Sequence, residues 1–315
     1  MALYLLRRFG LIILTVFLSS IVVFSFTQLL PGDVARIMLG QFATEVAIEN
    51  LREELGLNAP FYIQYLNWIV DFVSGDWGVS HVSRLEVYPM VISRMINSVR
   101  LALLVMLLYV PIGVFLGVLA ALKRDKTVDF IISSLSMAAV SIPVFVTALL
   151  MVPIFSHSLN WLPPNSSIPP ETSFADAFPY LIMPAIAVSL TSIGYIARMT
   201  RAGTIDVLKT DYVRAAYLKG IPHREVLFRH VLRNALLPTI TVVAMSTAVM
   251  IGGMVVVEVV FGYPGMGRLL VYSIRNQDLP LIQAISMVII LILTFSNLIA
   301  DILYSVLNPR IRLGK

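Results

Sequence analysis

Cysteine is absent from all 315 residues, which excludes disulfides, thiolate catalysis and cysteine-held metal centres and leaves the redox compartment open. Charge is scarce as well. Asp, Glu, Lys and Arg make up 13% of the chain, against roughly a quarter in a soluble domain. A chain so poor in charge cannot cover a water-facing surface of its size. With 58% hydrophobic residues and a mean hydropathy of +0.87, it is neither an ordinary soluble enzyme nor a disordered protein. The phosphate cradle G-x-x-x-x-G-K-[ST] is also missing. The only Gly-Lys pair is Gly314-Lys315, so this chain does not hydrolyse nucleotide through a P-loop. The four histidines, His81, His157, His223 and His230, show no close ligand spacing and read as surface or interface residues, with no metal expected. The net charge is +5. In a nucleic-acid binder that excess would form a basic patch on a soluble fold; here its meaning depends on where the charges fall between apolar segments.

What the sequence does contain is long apolar runs. A helix rises about 1.5 Å per residue and the hydrocarbon core is about 30 Å thick, so a span needs roughly 20 apolar residues. Six segments qualify: Phe9 to about Leu30, Leu101 to Leu122, Phe130 to Phe155, Tyr180 to Ala197, Ala235 to Val257 and Leu281 to Ala300. The first is longer than a signal-peptide core and is followed by no clear small-x-small site, so it is expected to be retained as a span. Arg7-Arg8 ahead of it reads as a topology anchor. With the N-terminus inside, the inner segments hold sixteen of the 23 Lys and Arg residues. Both termini are therefore expected in the cytoplasm. Pro111, Pro143, Pro153, Pro184 and Pro238 fall within spans, where each frees a carbonyl that neighbouring helices must satisfy. Gly113-x-x-x-Gly117 and the small residues Ala244, Ala248 and Gly252 offer flat faces for helix packing.

Two polar stretches lie between the spans. The outer one, residues 31–98, reads as short amphipathic helices. Thr44 is placed to cap a helix bearing Ile48, Leu51 and Leu55, which Gly56 ends. Tyr62, Leu66, Ile69, Val70 and Val73 form a second apolar stripe, and Trp68 and Trp77 suit a membrane interface. These helices either lie on the outer surface or form a docking platform. The inner stretch, residues 198–234, carries eight Lys and Arg residues. Asp211 is expected to cap a helix terminated by Gly220 in the left-handed conformation. Pro222 suits the first turn of the next. There Leu227, Val231 and Ala235 make one apolar row and Phe228, Leu232 and Leu236 another, bordered by Arg224, Arg229 and Arg233. Charge alone holds such a loop inside and against lipid phosphates. The breaks at Gly220 and Pro222 point further, to two short angled helices that dock a partner.

Few ionisable groups fall within apolar segments. Asp33 and Asp76 each follow a glycine outside the membrane, the wrong place for an intramembrane dyad. Glu258 and Asp301 near span ends are candidates for a pathway or gate, or for structural pairing.

The inner stretch Asp211-Tyr212-Val213-Arg214-Ala215-Ala216-Tyr217-Leu218-Lys219-Gly220, followed by His230-Val231-Leu232-Arg233-Asn234-Ala235-Leu236-Leu237-Pro238, closely resembles the coupling loop of ABC importer permease subunits of the dipeptide/oligopeptide/nickel branch. Leu30-Pro31-Gly32-Asp33, Leu55-Gly56-Leu57-Asn58 with Pro60, and Gly75-Asp76-Trp77-Gly78 look like that branch's outer segment. Val257-Glu258 through Phe261, Pro264-Gly265-Met266-Gly267-Arg268-Leu269-Leu270, Asp278-x-Pro280 and Asn308-Pro309 look like its C-terminal part. Together they cover essentially the whole chain, and the long outer segment is similar to that of the B-type permease. Arg214 stands where the general importer signature has glutamate, and the distance from Gly220 to Pro238 exceeds the general pattern; both are features of the peptide branch.

The resemblance implies an all-α polytopic fold of the type I ABC importer (MetI-like) class, with six transmembrane helices in a bacterial cytoplasmic (inner) membrane. It implies an N-terminal helix over 1–30, an extracytoplasmic segment over 31–98, a five-helix core over 99–309 containing the coupling loop 198–234, and a cytoplasmic tail over 310–315. The implied partners are a homologous second permease, two cytoplasmic ATPases, an extracytoplasmic substrate-binding protein and membrane lipid, with no nucleic acid. The chain would bind no cofactor, since ATP and Mg are used by the ATPases, and would carry no catalytic residue. Arg214, Ala215, Ala216, Gly220, Glu225, Phe228 and Arg229 would couple to an ATPase. Asp33, Asp76 and Trp77 would be candidates for docking the binding protein. The rival reading is a proton-coupled secondary transporter using Glu258 and Asp301, which predicts uptake without ATPases.

Overall fold

The computed structural model describes residues 2–29, 34–39, 43–54, 56–167 and 174–307. Thirteen helices account for most of them: α1 (Ala2–Gln28), α2 (Val34–Leu39), α3 (Glu45–Glu54), α4 (Phe61–Ser74), α5 (Val87–Leu122), α6 (Thr127–Ser141), α7 (Val144–Met151), α8 (Phe174–Leu208), α9 (Asp211–Leu218), α10 (His223–Glu225), α11 (Leu232–Val260), α12 (Met266–Arg275) and α13 (Leu279–Leu307). π-Helical turns over Val152–Ser158 and Val226–Val231 continue α7 and α10. Among the described residues the sole β feature is an isolated bridge between Val79 and Glu86.

Among the described residues, five helices are long and apolar enough to cross a membrane, six if the bent pair α6 and α7 is one span. The third span expected from sequence is therefore not straight. Its two halves meet at 97°, and the break falls at Ile142-Pro143, where Pro143 has lost the amide that would continue the α6 ladder. Pro153 is absorbed differently, inside the π-helical turn. Pro111, Pro179, Pro184 and Pro238 lie within unbroken helices. The second and fourth spans are longer than expected. α5 has 36 residues and α8 has 35, each roughly 50 Å long at the helical rise, so Arg94 and Arg100 begin the former and Arg198 and Arg201 end the latter as helical residues.

The chain divides into two compact units, residues 1–97 with 265–295, and residues 98–264 with 296–315. In the first, α4 lies along α1. Phe24 meets the rings of Phe61, Tyr65 and Trp68 at 5.3, 5.7 and 5.3 Å, and Ser20 shares a 2.8 Å hydrogen bond with the Tyr65 hydroxyl. Gln283 of α13 donates to Thr27 of α1 at 2.8 Å. Val87, Val91, Met266, Leu269, Leu281 and Ile285 make the unit's core. Thr44 caps α3 as expected, accepting from the Ala47 amide at 3.3 Å, and Ile48 is buried; Leu55 lies outside the described residues.

The second unit is a helix bundle whose core draws on α5, α7, α8 and α11. Tyr109, Ala148, Met183, Ile196, Met254 and Phe261 are all buried in it. Gly113 and Gly117 bring α5 onto α8: a Cβ at Gly117 would stand 2.5 Å from the Ala197 carbonyl oxygen, and one at Gly113 2.8 Å from Ile196 Cβ. Gly203 of α8 lies equally close to Ala235 of α11. On the second small-residue face, no described atom lies within 4 Å of a Cβ built on Gly252; the side chains of Ala244 and Ala248 lie outside the described residues.

Candidate coupling site and outer face

The basic stretch folds as a hairpin at the end of α8. Gly203, Val207 and Leu208 still belong to that helix, and the chain turns over Lys209 and Thr210 into α9. Thr210 occupies the N-cap position, with extended backbone, and no side-chain cap bond forms. Asp211, expected at the cap, is instead the first helical residue, where its charge still faces the positive helix end. Gly220 has φ +76° and its amide donates to the Tyr217 carbonyl at 3.0 Å, the left-handed termination expected of it. Pro222 then stands at the cap of α10. The second arm is not a separate short helix. It runs from α10 through the π-helical turn Val226–Val231 directly into α11, so a displacement of the arm is applied to the head of a 29-residue helix.

Val213, Ala216, Val226, Leu227, Val231 and Ala235 are buried together, with Val118 and Leu122 of α5 and Val207 and Leu208 of α8 packed against them. Of the two apolar rows, the one through Leu227 is thus the interior. Phe228, of the other row, is 61% exposed with the Arg224 guanidinium 6.0 Å from its ring centre. Arg229 and Glu225 pair at 3.2 Å on the same exposed side. Arg214 and Ala215 are exposed while Ala216 is not. The structure therefore separates the two alanines: Ala215 is available to a partner, and Ala216 fits the hairpin core. Two contacts tie the arms, Tyr217 stacked on His223 with a 2.8 Å hydroxyl–Nδ1 bond and Asn234 donating to the Tyr212 hydroxyl at 3.0 Å. The result is a rigid wedge with an exposed edge of Arg214, Ala215, Phe228 and Arg229.

Sequence reading missed one strut of this unit. Asp129 at the start of α6 is buried and pairs with Arg201 of α8 through two 2.6 Å hydrogen bonds. Arg201 is one of the eight basic residues of the 198–234 stretch, and the 72-residue separation hides a pairing that two-pronged geometry makes strong.

Glu258 is 1% exposed on α11 and accepts a 2.6 Å hydrogen bond from the Ser98 hydroxyl. Tyr263 beside it has its phenol pushed up by burial and by the Glu258 charge. Asp301 belongs to α13, but its side chain lies outside the described residues, so no pairing of the two carboxylates is placed.

In the first unit, α4 ends at Gly75, φ +92°, whose amide returns to the Phe72 carbonyl. Asp76 is exposed and accepts from the Gly78 amide at 3.0 Å. Trp77 is half-buried, stacked on Phe72 at 5.2 Å and bonded through Nε1 to the Phe72 carbonyl. Asp33 lies outside the described residues. A second unforeseen staple holds the following loop: Asp278, fully buried at the head of α13, accepts from the Ser80 hydroxyl at 2.5 Å and the His81 amide at 3.2 Å. His81 has its pKa lowered by burial, opposed by the Asp278 charge and assisted by Arg84.

Among the described residues there is no metal cluster; the arrangement is a packed hairpin with an exposed edge, continuous with the long apolar helices. Residues 113–313 match the family described as "Binding-protein-dependent transport system inner membrane component", and residues 1–102 match the N-terminal family of the same membrane component. The chain belongs to this family. It is the membrane-embedded permease component of an ABC importer. The permease is 38% identical over 312 residues to the Sinorhizobium fredii protein named "Probable peptide ABC transporter permease protein y4tP", covering 99% of this chain and 100% of that one. It is 37% identical over 309 residues to the glutathione transport system permease protein GsiC of Escherichia coli strain K12, covering 98% of both. The fold is that of the membrane subunits of such transporters: an inward-facing crystal structure of the methionine ABC transporter MetNI superposes with a TM-score of 0.54 at 12% identity, over 70% of this chain and 96% of that one. Membership implies work alongside an ATPase and a binding protein. Nothing in these likenesses supports a proton-coupled secondary transporter.

Proposed function

We propose that this permease forms, with a homologous second permease, the pathway for peptides or a peptide-like solute such as glutathione, delivered by an extracytoplasmic binding protein and driven by two cytoplasmic ATPases that use ATP and Mg. The observation that carries the substrate class is the end-to-end likeness to permeases named for peptide and glutathione transport. The hairpin supports the division of labour. Arg214, Ala215, Phe228 and Arg229 form the edge that meets an ATPase, Glu225 orients Arg229, and Gly220 and Ala216 give the wedge its shape. Closure of the ATPases pushes the wedge, and α11 carries the push into the membrane as a rigid-body change of state. The permease supplies differential affinity for its two states and no covalent chemistry. In this orientation both termini are cytoplasmic, 31–98 is extracytoplasmic and 99–309 is the core. Asp76 and Trp77 belong to the face that receives the binding protein, and Asp33, outside the described residues, is a candidate for the same role.

The test is purification from the native membrane, identification of the companions, and reconstitution. A second permease and two ATPases should co-purify, and vesicles holding the complex and the binding protein should take up a labelled peptide only with ATP. Uptake by this chain alone, driven by a pH gradient, would overturn the reading.

A further inference from the structure

Within the first unit, the end of α4, the turn after it and the head of α13 enclose a cavity of about 260 Å³ lined by Trp68, Asp71, Phe72, Asp76, Trp77, Gly78, Pro280, Gln283 and Ala284. Among the described residues its lining combines three aromatic side chains with two carboxylates and includes no basic side chain. The aromatic wall is preformed: Trp68 and Phe72 lie 6.0 Å apart, Phe72 and Trp77 stack at 5.2 Å, Tyr88 closes on Trp77 at 4.8 Å, and the indole N–H of Trp77 is held by the Phe72 carbonyl. Ligand pockets for drug-sized molecules begin at roughly 300 Å³, so this one suits a single side chain better than a peptide. Aromatic rings beside anionic oxygens attract an organic cation, since the ring quadrupole and the carboxylate charge act in the same direction.

We propose that this cavity receives one basic side chain, an arginine or lysine, presented by the binding protein when it docks. The inference rests on the outward placement of residues 31–98 and deepens it by naming the chemistry of the contact. A guanidinium would stack against the aromatic wall while Asp71 and Asp76 take its N–H groups. Little ordering cost would be paid on the permease side because the rings are already fixed.

The chain's three tryptophans make the test direct, because Trp68 and Trp77 line the cavity and Trp161 does not. In a Trp161→Phe permease held in lipid nanodiscs, N-acetyl-arginine amide should give a saturable change in fluorescence. N-acetyl-citrulline amide, of the same shape without the charge, should need at least fivefold more for half-saturation. Asp71→Asn with Asp76→Asn should weaken the arginine derivative about tenfold, as expected for two exposed charges and a cation–π contact, and should weaken capture of the purified binding protein by the full complex. The absence of a saturable response, equal responses to the two amides, or an unchanged double variant would refute the cavity as a cation site. Probe binding abolished with binding-protein capture intact would refute the assigned occupant. ATP-driven uptake by the unmodified complex is scored separately, so a failed cavity and a failed importer assignment give different results.

Discussion

Gly220 and Phe228 show how much of the proposed coupling wedge rests on single residues. Gly220 holds φ +76° and donates its amide to Tyr217. Proline there would forbid the left-handed conformation and delete the donor at once, so Gly220→Pro should leave membrane insertion intact yet lose peptide uptake while ATP hydrolysis by the assembled complex continues; the two rates measured in the same vesicles check this. Phe228 buries nothing in the hairpin interior, which Leu227 and Val231 fill, so Phe228→Asp should fold normally and lower recovery of the ATPases on purification severalfold. His81 carries a pH dependence of another kind. Its Nδ1 is buried with no hydrogen-bond partner among the described residues, and desolvation, with help from Arg84 and against Asp278, holds its pKa below the ordinary 6.5. The unfolded chain therefore binds the extra proton more readily in the window just below 6.5. The stability due to neutral His81 is complete above that value and is lost as pH falls through the window toward the folded pKa. Melting temperature followed from pH 7 to pH 5 should fall less steeply for His81→Gln than for the natural protein.

Helices pack here by backbone contact, and that gives a contrast between glycines. Gly117→Ala would press a methyl group against the Ala197 carbonyl and Thr200, atoms of a helix that cannot yield, and should cost about 1–3 kcal/mol as an overpacked interface does. Gly252→Ala meets no described atom within 4 Å and should be neutral or gain up to about 1 kcal/mol of helix propensity. Thermal unfolding of the two variants in one detergent decides the matter. The glycine pair on α5 was legible in the sequence because four-residue spacing fixes a face. The apolar spans were legible because hydropathy is local, and the Gly220 turn because one residue type suits its dihedral. The bend was only half legible: Pro143 and Pro153 look alike in sequence, but one breaks a helix at 97° and the other is taken up by a π-helical turn. The difference depends on neighbours that re-satisfy the backbone. Asp129–Arg201 and Asp278–Ser80, separated by 72 and 198 residues, left no local signal at all. Ala215 and Ala216 could be told apart only once the interior of the hairpin was known.

For the molecule as a whole, the proposed ATPase docking and binding-protein capture both require that the hairpin and the outer segment lie on opposite sides of the membrane. The lysine and arginine distribution argues for it, with eight such residues between Arg198 and Asn234 and the next inner group at Lys123, Arg124 and Lys126. Counting the bent pair as one span gives six candidate crossings among the described residues, the even number that the proposed orientation, with both termini on one side, requires. The absence of cysteine turns this into an experiment without background from the chain itself, since any introduced thiol is the only one it carries. Val73, at the end of α4, and Leu218, at the tip of α9, are 79% and 82% exposed, so Val73→Cys and Leu218→Cys should each react readily with a maleimide and disturb no core. In intact cells a membrane-impermeant maleimide should modify Cys at position 73 and spare position 218. After permeabilisation both should react to completion. The outer pocket and the coupling wedge would both lose their partners if the order were reversed, because an ATPase confined to the cytoplasm could not reach a hairpin that labels from outside.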